Sequence, residues 1–163
     1  MRRVYETDEH RAAEREMARR LALAWKCEAV KRPALDRIDW TLTARRGRVT
    51  RALMECKNRP RYDWATLDRL GGVFISEQKW QAARDECVEQ NLPFVVLVQP
   101  SDQTLWWHRA DWSHDGVVVG GRSDRDDPKD IERCITLRRA RFAPVVEPVS
   151  GMTDKDINWG WST

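Results

Sequence analysis

Apolar and polar residues alternate with period two from Arg37 to Ala44, in the order Arg-Ile-Asp-Trp-Thr-Leu-Thr-Ala. A second strand-like run from Val49 to Lys57 follows Arg45-Arg46-Gly47-Arg48. Two such runs separated by a short Gly-containing segment predict a β-hairpin. If Arg45-Arg46-Gly47 is a three-residue loop with Gly47 in the left-handed position, Ala44 pairs with Arg48 and Asp39 pairs with Leu53. Ile38, Trp40, Leu42, Ala44, Ala52, Met54 and Cys56 then share one face, while Asp39, Thr41, Thr43, Arg51, Leu53, Glu55 and Lys57 share the other. A two-residue loop would shift the pairing by one and move Arg51 and Glu55 onto the face of Trp40 and Leu42, so the odd loop is expected. The same parity sets Asp36 on the Trp40 face and makes Asp39 the stronger first carboxylate.

Other elements follow from longer periods. Thr7 to about Val30 contains no Gly or Pro, and Met17, Ala18, Leu21, Ala24 and Trp25 form an apolar stripe at helical spacing. Glu14 lies three before Met17 and seven before Leu21, on the edge of that stripe, whereas Glu16 projects elsewhere with Arg20 and Leu23. Glu77 to Lys79 opens a second helix capped by Ser76, with Trp80, Ala83, Cys87 and Val88 as its buried face. Pro93 to Val98 is a continuous apolar run suited to a strand covered on both sides. Thr104 to Arg109, Gly116 to Val119 and Ile131 to Leu137 read as further strands. No repeat or low-complexity linker interrupts the chain, which divides into one domain over residues 1–148 and a tail over 149–163 carrying Trp159 and Trp161.

The chemistry sits on the polar face of the hairpin. Carboxylates on adjacent strands, Asp39 and Glu55, suit a hard cation such as Mg²⁺ or Mn²⁺, and no His or Cys cluster competes for that role. Such an ion polarises a scissile phosphate and acidifies an attacking water, while an ammonium nearby stabilises the developing charge. Lys57 shares the face of Glu55 and can supply that ammonium, and the main-chain carbonyl of Cys56 is a further candidate ligand. Acid-x-Lys triplets also occur at Glu77-Gln78-Lys79 and Asp127-Pro128-Lys129, but only Glu55-Cys56-Lys57 closes an apolar strand with a strand carboxylate upstream. An ordinary solvated strand face would carry the same residue types.

Composition narrows the partners. A net charge of +3 and a pI near 8.8 are only mildly basic, so nucleic-acid binding has to come from local clusters. These are Arg45-Arg46-Arg48-Arg51, Lys57-Arg59-Arg61 and Arg138-Arg139-Arg141. Four separate cysteines read as reduced thiols, and no apolar run approaches the roughly 20 residues of a membrane span, so a cytoplasmic setting is expected. Trp106, Trp107 and Trp112 are either core, a dimer contact or a platform for unpaired bases.

Taken together, these residues resemble the PD-(D/E)XK nuclease superfamily, in particular its small stand-alone members from phage and prophage genomes. The likeness is carried by Glu14, Ile38-Asp39, Glu55-Cys56-Lys57-Asn58-Arg59, Ile75-Ser76-Glu77-Gln78-Lys79-Trp80 and Gly120 through Glu132, spanning about residues 10 to 142. It implies an α/β, restriction-endonuclease-like core in which a mixed central sheet is flanked by helices in the order αβββαβ. It further implies that Asp39 and Glu55 are metal ligands, Lys57 the catalytic lysine, and Glu14 a helix carboxylate reaching the metal or its water. Gln78 and Lys79 would border the site and, with Arg59, contact nucleic acid. Ile38 stands where the family name prescribes proline. The implied activity is a Mg²⁺- or Mn²⁺-dependent DNA endonuclease, with a junction-resolving homodimer as one form. The rival is a non-catalytic DNA-binding or protein-interaction module on the same fold.

Overall fold

A computed structural model describes residues 7–45, 49–121 and 131–148. The centre of the hairpin loop (46–48), the segment 122–130 and the tail 149–163 with Trp159 and Trp161 lie outside the described residues.

The chain runs α1 (Asp8–Ala24), β1 (Cys27–Lys31), β2 (Trp40–Ala44), β3 (Thr50–Asn58), α2 (Trp64–Arg69), β4 (Val73–Ser76), α3 (Glu77–Gln90), β5 (Phe94–Gln99), β6 (Trp106–Arg109), β7 (Gly116–Gly121), β8 (Ile131–Leu137) and β9 (Ala143–Pro144). The main sheet is six-stranded and mixed, in the order β1-β2-β3-β5-β6-β9. A smaller sheet, β4-β8-β7, packs beside it. The chain therefore has an α/β fold of restriction-endonuclease-like type. Its α1-β1-β2-β3-α3-β5 core follows the αβββαβ order, with α2 and β4 inserted before α3. β3 and β5 are parallel, Glu55 opposite Val96, which requires the crossover that α3 provides.

Two apolar layers cover the main sheet. Met17, Leu21 and Trp25 of α1 pack on Trp40, Leu42, Met54 and Cys56. On the other side Trp80, Ala83 and Cys87 of α3 join Trp64, Ile75, Ile135 and Leu137 over Leu53, Phe94, Val96 and Val98. Successive residues of β3 feed alternate layers, so this central strand is buried from Ala52 to Cys56. Trp107 meets Trp25 edge-on at 5.1 Å, Trp106 meets Trp64 at 5.7 Å, and Trp112 stacks on Phe94 at 5.7 Å. These rings are engaged in the core rather than offered as a base platform.

Several sequence expectations need correction. The first helix ends at Ala24, not near Val30: Trp25 caps it and Lys26 takes a left-handed φ of 48°, turning the chain into β1. The hairpin pairs Trp40 with Met54 and Leu42 with Ala52, two residues away from the expected register, and the ladder slips at Leu42/Thr43, where Arg51 is the extra residue. Up to that slip the two-residue displacement keeps the side chains on their expected faces, so the polar and apolar assignment of the strands beside Asp39 and Glu55 stands. Ile38 is the exception. It precedes the strand and is buried in the α3 layer with Leu53, because an Asp36-centred turn rotates the backbone there: Asp36 Oδ1 accepts from the Ile38 amide and Oδ2 from Arg32 Nε at 3.0 Å. Leu53 is buried core, and Val88, 67% exposed, is not part of the buried face of α3. Ser76 caps α3 as expected, its hydroxyl accepting from the Lys79 amide.

Candidate active site

Asp39 and Glu55 approach each other because β2 and β3 are antiparallel and the ladder brings Thr41 opposite Leu53 on the α3 face. Asp39 lies just ahead of β2, its carbonyl accepting from the Arg32 amide at 2.9 Å, so the main chain is fixed on both sides of it. Arg32 also reaches across to Glu86 of α3 with a pair of hydrogen bonds at 2.9 and 3.3 Å. This guanidinium ties the turn carrying Asp39 to the helix carrying Lys79, a positioning role that the sequence did not disclose.

Glu55 is 2% exposed and Asp39 9% exposed. Two ammonium groups meet them: Lys57 Nζ and Lys79 Nζ each lie 3.0 Å from Glu55 Oε1, and Lys79 Nζ is also 3.5 Å from Asp39 Oδ1. The carboxyls are hydrogen-bonded to one another. Burial, then the negative charge of Glu55, pushes the Asp39 carboxyl well above the usual carboxylate range. Burial alone would raise Glu55 too, but Lys57, Lys79 and the hydrogen bond from Asp39 hold it below that range. At acidic pH Asp39 is therefore the member of the pair that carries the proton, beside an ionised Glu55.

Lys79 is the main surprise among the residues singled out from sequence. It was expected on the first turn of a helix bordering the site, and it is there, but its ammonium is inserted between the two carboxylates. Gln78 is exposed on the same turn, and Arg59, just past β3, donates from its guanidinium to the Asn58 carbonyl at 2.9 Å. Glu14 stays on the α1 layer, its carboxylate 3.6 Å from Lys31 of β1. The Cys56 thiol points into the α1 layer, where burial and then Glu14, Asp39 and Glu55 push it far up, so it remains a neutral thiol. Only the main-chain carbonyl of Cys56 is left as an oxygen donor.

The donor set fits a hard divalent cation. It consists of carboxylate oxygens and is shielded from water. Among the described residues no three or more His, Cys, Asp or Glu side chains are gathered as a ligand set, so Asp39 and Glu55 are the side-chain donors brought together.

A central mixed sheet with a buried Asp just ahead of one strand and a Glu-x-Lys on the neighbouring strand defines the nuclease-like class of this fold. The chain belongs to the family described as "Phage putative PDDEXK endonuclease", whose model matches residues 1–145. It is thus a PD-(D/E)XK family member of phage type, and the family supports nuclease activity in general. No curated protein and no solved structure matches the chain. No helix among the described residues is long and apolar enough to cross a membrane.

Proposed function

We propose that this protein is a Mg²⁺- or Mn²⁺-dependent DNA endonuclease acting in phage DNA metabolism, in the cytoplasm of the host. The observation that carries the reading is the buried Asp39-Glu55 pair with two lysine ammoniums at 3.0 Å from one Glu55 oxygen. Burying two carboxyls costs stability that a sequence free to replace them with apolar residues would recover, so their retention beside Lys57 points to a functional site.

Asp39 and Glu55 would hold the cation, with the carbonyl of Cys56 beside them and Glu14 acting from the α1 layer. When bound, the cation would polarise the phosphodiester and acidify water. Lys57 keeps its ammonium next to Glu55, where it orients the attacking water and stabilises charge growing on the phosphate. Arg59, Gln78 and Lys79 line the approach and contact the DNA backbone, giving a salt-dependent contribution to binding. Arg51, exposed at the bulge, extends that basic path. A homodimer would let two strands be cut symmetrically, as a junction resolvase requires.

A panel of labelled DNAs (single strand, linear duplex, flap and four-way junction) incubated in Mg²⁺, Mn²⁺ or EDTA tests the reading. Cation-dependent cutting is expected, and the preferred substrate would separate a structure-specific enzyme from a general one. Binding without cutting on every substrate, in either ion, would favour the non-catalytic module.

A further inference from the structure

Lys79 sits where the metal-free site and the proposed reaction make opposite demands. Its ammonium lies 3.0 Å from Glu55 Oε1 and 3.5 Å from Asp39 Oδ1, so one side-chain cation already bridges the two carboxylates assigned to a divalent ion. The ion pair of Lys57, in contrast, is with Glu55 alone among the described residues. An ammonium and a hard cation cannot hold the same oxygens, since two like charges a few ångströms apart repel strongly where water is scarce. Lys79 has somewhere to go: its side chain is 19% exposed, it springs from the first turn of α3 beside the exposed Gln78, and four rotatable bonds let the ammonium leave while Ser76 keeps the backbone in place.

We infer that Lys79 is a cation placeholder. It offsets the negative charge of the Asp39-Glu55 pair while the divalent ion is absent, is expelled when the ion enters, and is thereby freed to meet a DNA phosphate. The inference rests on the proposed metal-dependent reading and adds an order of events: loading of the ion arms a DNA-contacting lysine. The cation's affinity is set partly by competition with Lys79, and the contribution of Lys79 to DNA binding exists only when the ion is present.

The direct test is calorimetric titration of Mn²⁺ alone into the wild type, Lys79→Met and Asp39→Asn, all at one pH. Lys79→Met keeps the length of the side chain and removes the charge, and it should bind Mn²⁺ about tenfold more tightly than the wild type. Wild-type binding with equal or weaker binding by Lys79→Met would overturn the placeholder role while leaving the metal site standing. Absence of Mn²⁺ binding in both, with Asp39→Asn indistinguishable, would overturn the metal reading and this inference with it. A second measurement covers the case of a variant that folds poorly. In the wild type labelled with ¹⁵N-lysine, the Lys79 ammonium resonance should shift or broaden into solvent exchange as Mg²⁺ saturates the site, and an unchanged resonance in a Mg²⁺-bound protein would contradict expulsion.

Discussion

Asp39→Asn should change stability in a way that depends on pH, and the sign can be worked from the site. In the folded protein Asp39 titrates at about 7, against an ordinary value of 3.8, because it is buried next to ionised Glu55. A carboxyl with a raised folded pKa contributes stability that is fully present below its unfolded pKa and is lost as pH rises through the folded one. The window is therefore about pH 4 to 7. Each tenfold difference in proton affinity is worth about 1.4 kcal/mol, so the interval from 3.8 to about 7 corresponds to at most about 4 kcal/mol. Relaxation of the site and water penetration as Asp39 ionises reduce that to roughly 2 kcal/mol. Asparagine has the shape of the protonated acid, stays neutral, and can still donate to Glu55. Urea denaturation in EDTA should accordingly find Asp39→Asn within about 1 kcal/mol of the wild type at pH 5 and more stable than it by about 2 kcal/mol at pH 8. An equal stability difference at both pH values, or a variant weaker at pH 8 than at pH 5 relative to the wild type, would refute the shared-proton description of the pair.

Three other substitutions follow from the same contacts. Glu55→Gln leaves two ammoniums facing a neutral amide in a site shielded from water, and chemical denaturation should show a loss of about 3 kcal/mol at pH 7, opposite in sign to the effect of Asp39→Asn. Arg32→Ala removes the link between the Asp36 turn and Glu86 of α3; a loss of about 2 kcal/mol is expected, with weaker Mn²⁺ binding because the turn carrying Asp39 is no longer held in place beside Glu55. Gly72→Ala should cost more than about 2 kcal/mol, because the residue has φ +119° and an added Cβ would lie 2.5 Å from the Leu137 carbonyl oxygen, pushing β4 away from β8; a thermal midpoint equal to that of the wild type would count against the close packing there.

The parity of the hairpin was legible in the sequence because alternation has period two and one wrong step would put Glu55 on the apolar face of Trp40 and Leu42. Its register was not, since period two cannot distinguish pairings that differ by two residues, and the slip at Arg51 leaves no mark in composition. Ile38 departs from the alternation for a related reason: the Arg32–Asp36 contact bends the chain out of the strand before Trp40, and period two carries no mark of that bend. The break between α1 and β1 carries neither Gly nor Pro, as Lys26 adopts the left-handed conformation itself. The cap at Ser76 and the parallel β5 were readable from local chemistry, a hydroxyl before a helical pattern and an apolar run. The place of Lys79 was not, because its partners are 24 and 40 positions away and a lysine on a first turn usually faces solvent.

The assignment of Lys57 as the catalytic ammonium is the centre of the account, and Lys57→Met tests it most directly. Single-turnover cleavage in Mg²⁺ is measured on the preferred DNA alongside DNA binding in Ca²⁺ and the folding midpoint. The account predicts a cleavage rate lower by about 10² to 10³-fold, with DNA affinity changed by no more than a few-fold and the fold intact. A folded, DNA-binding Lys57→Met protein that cuts at the wild-type rate would contradict it.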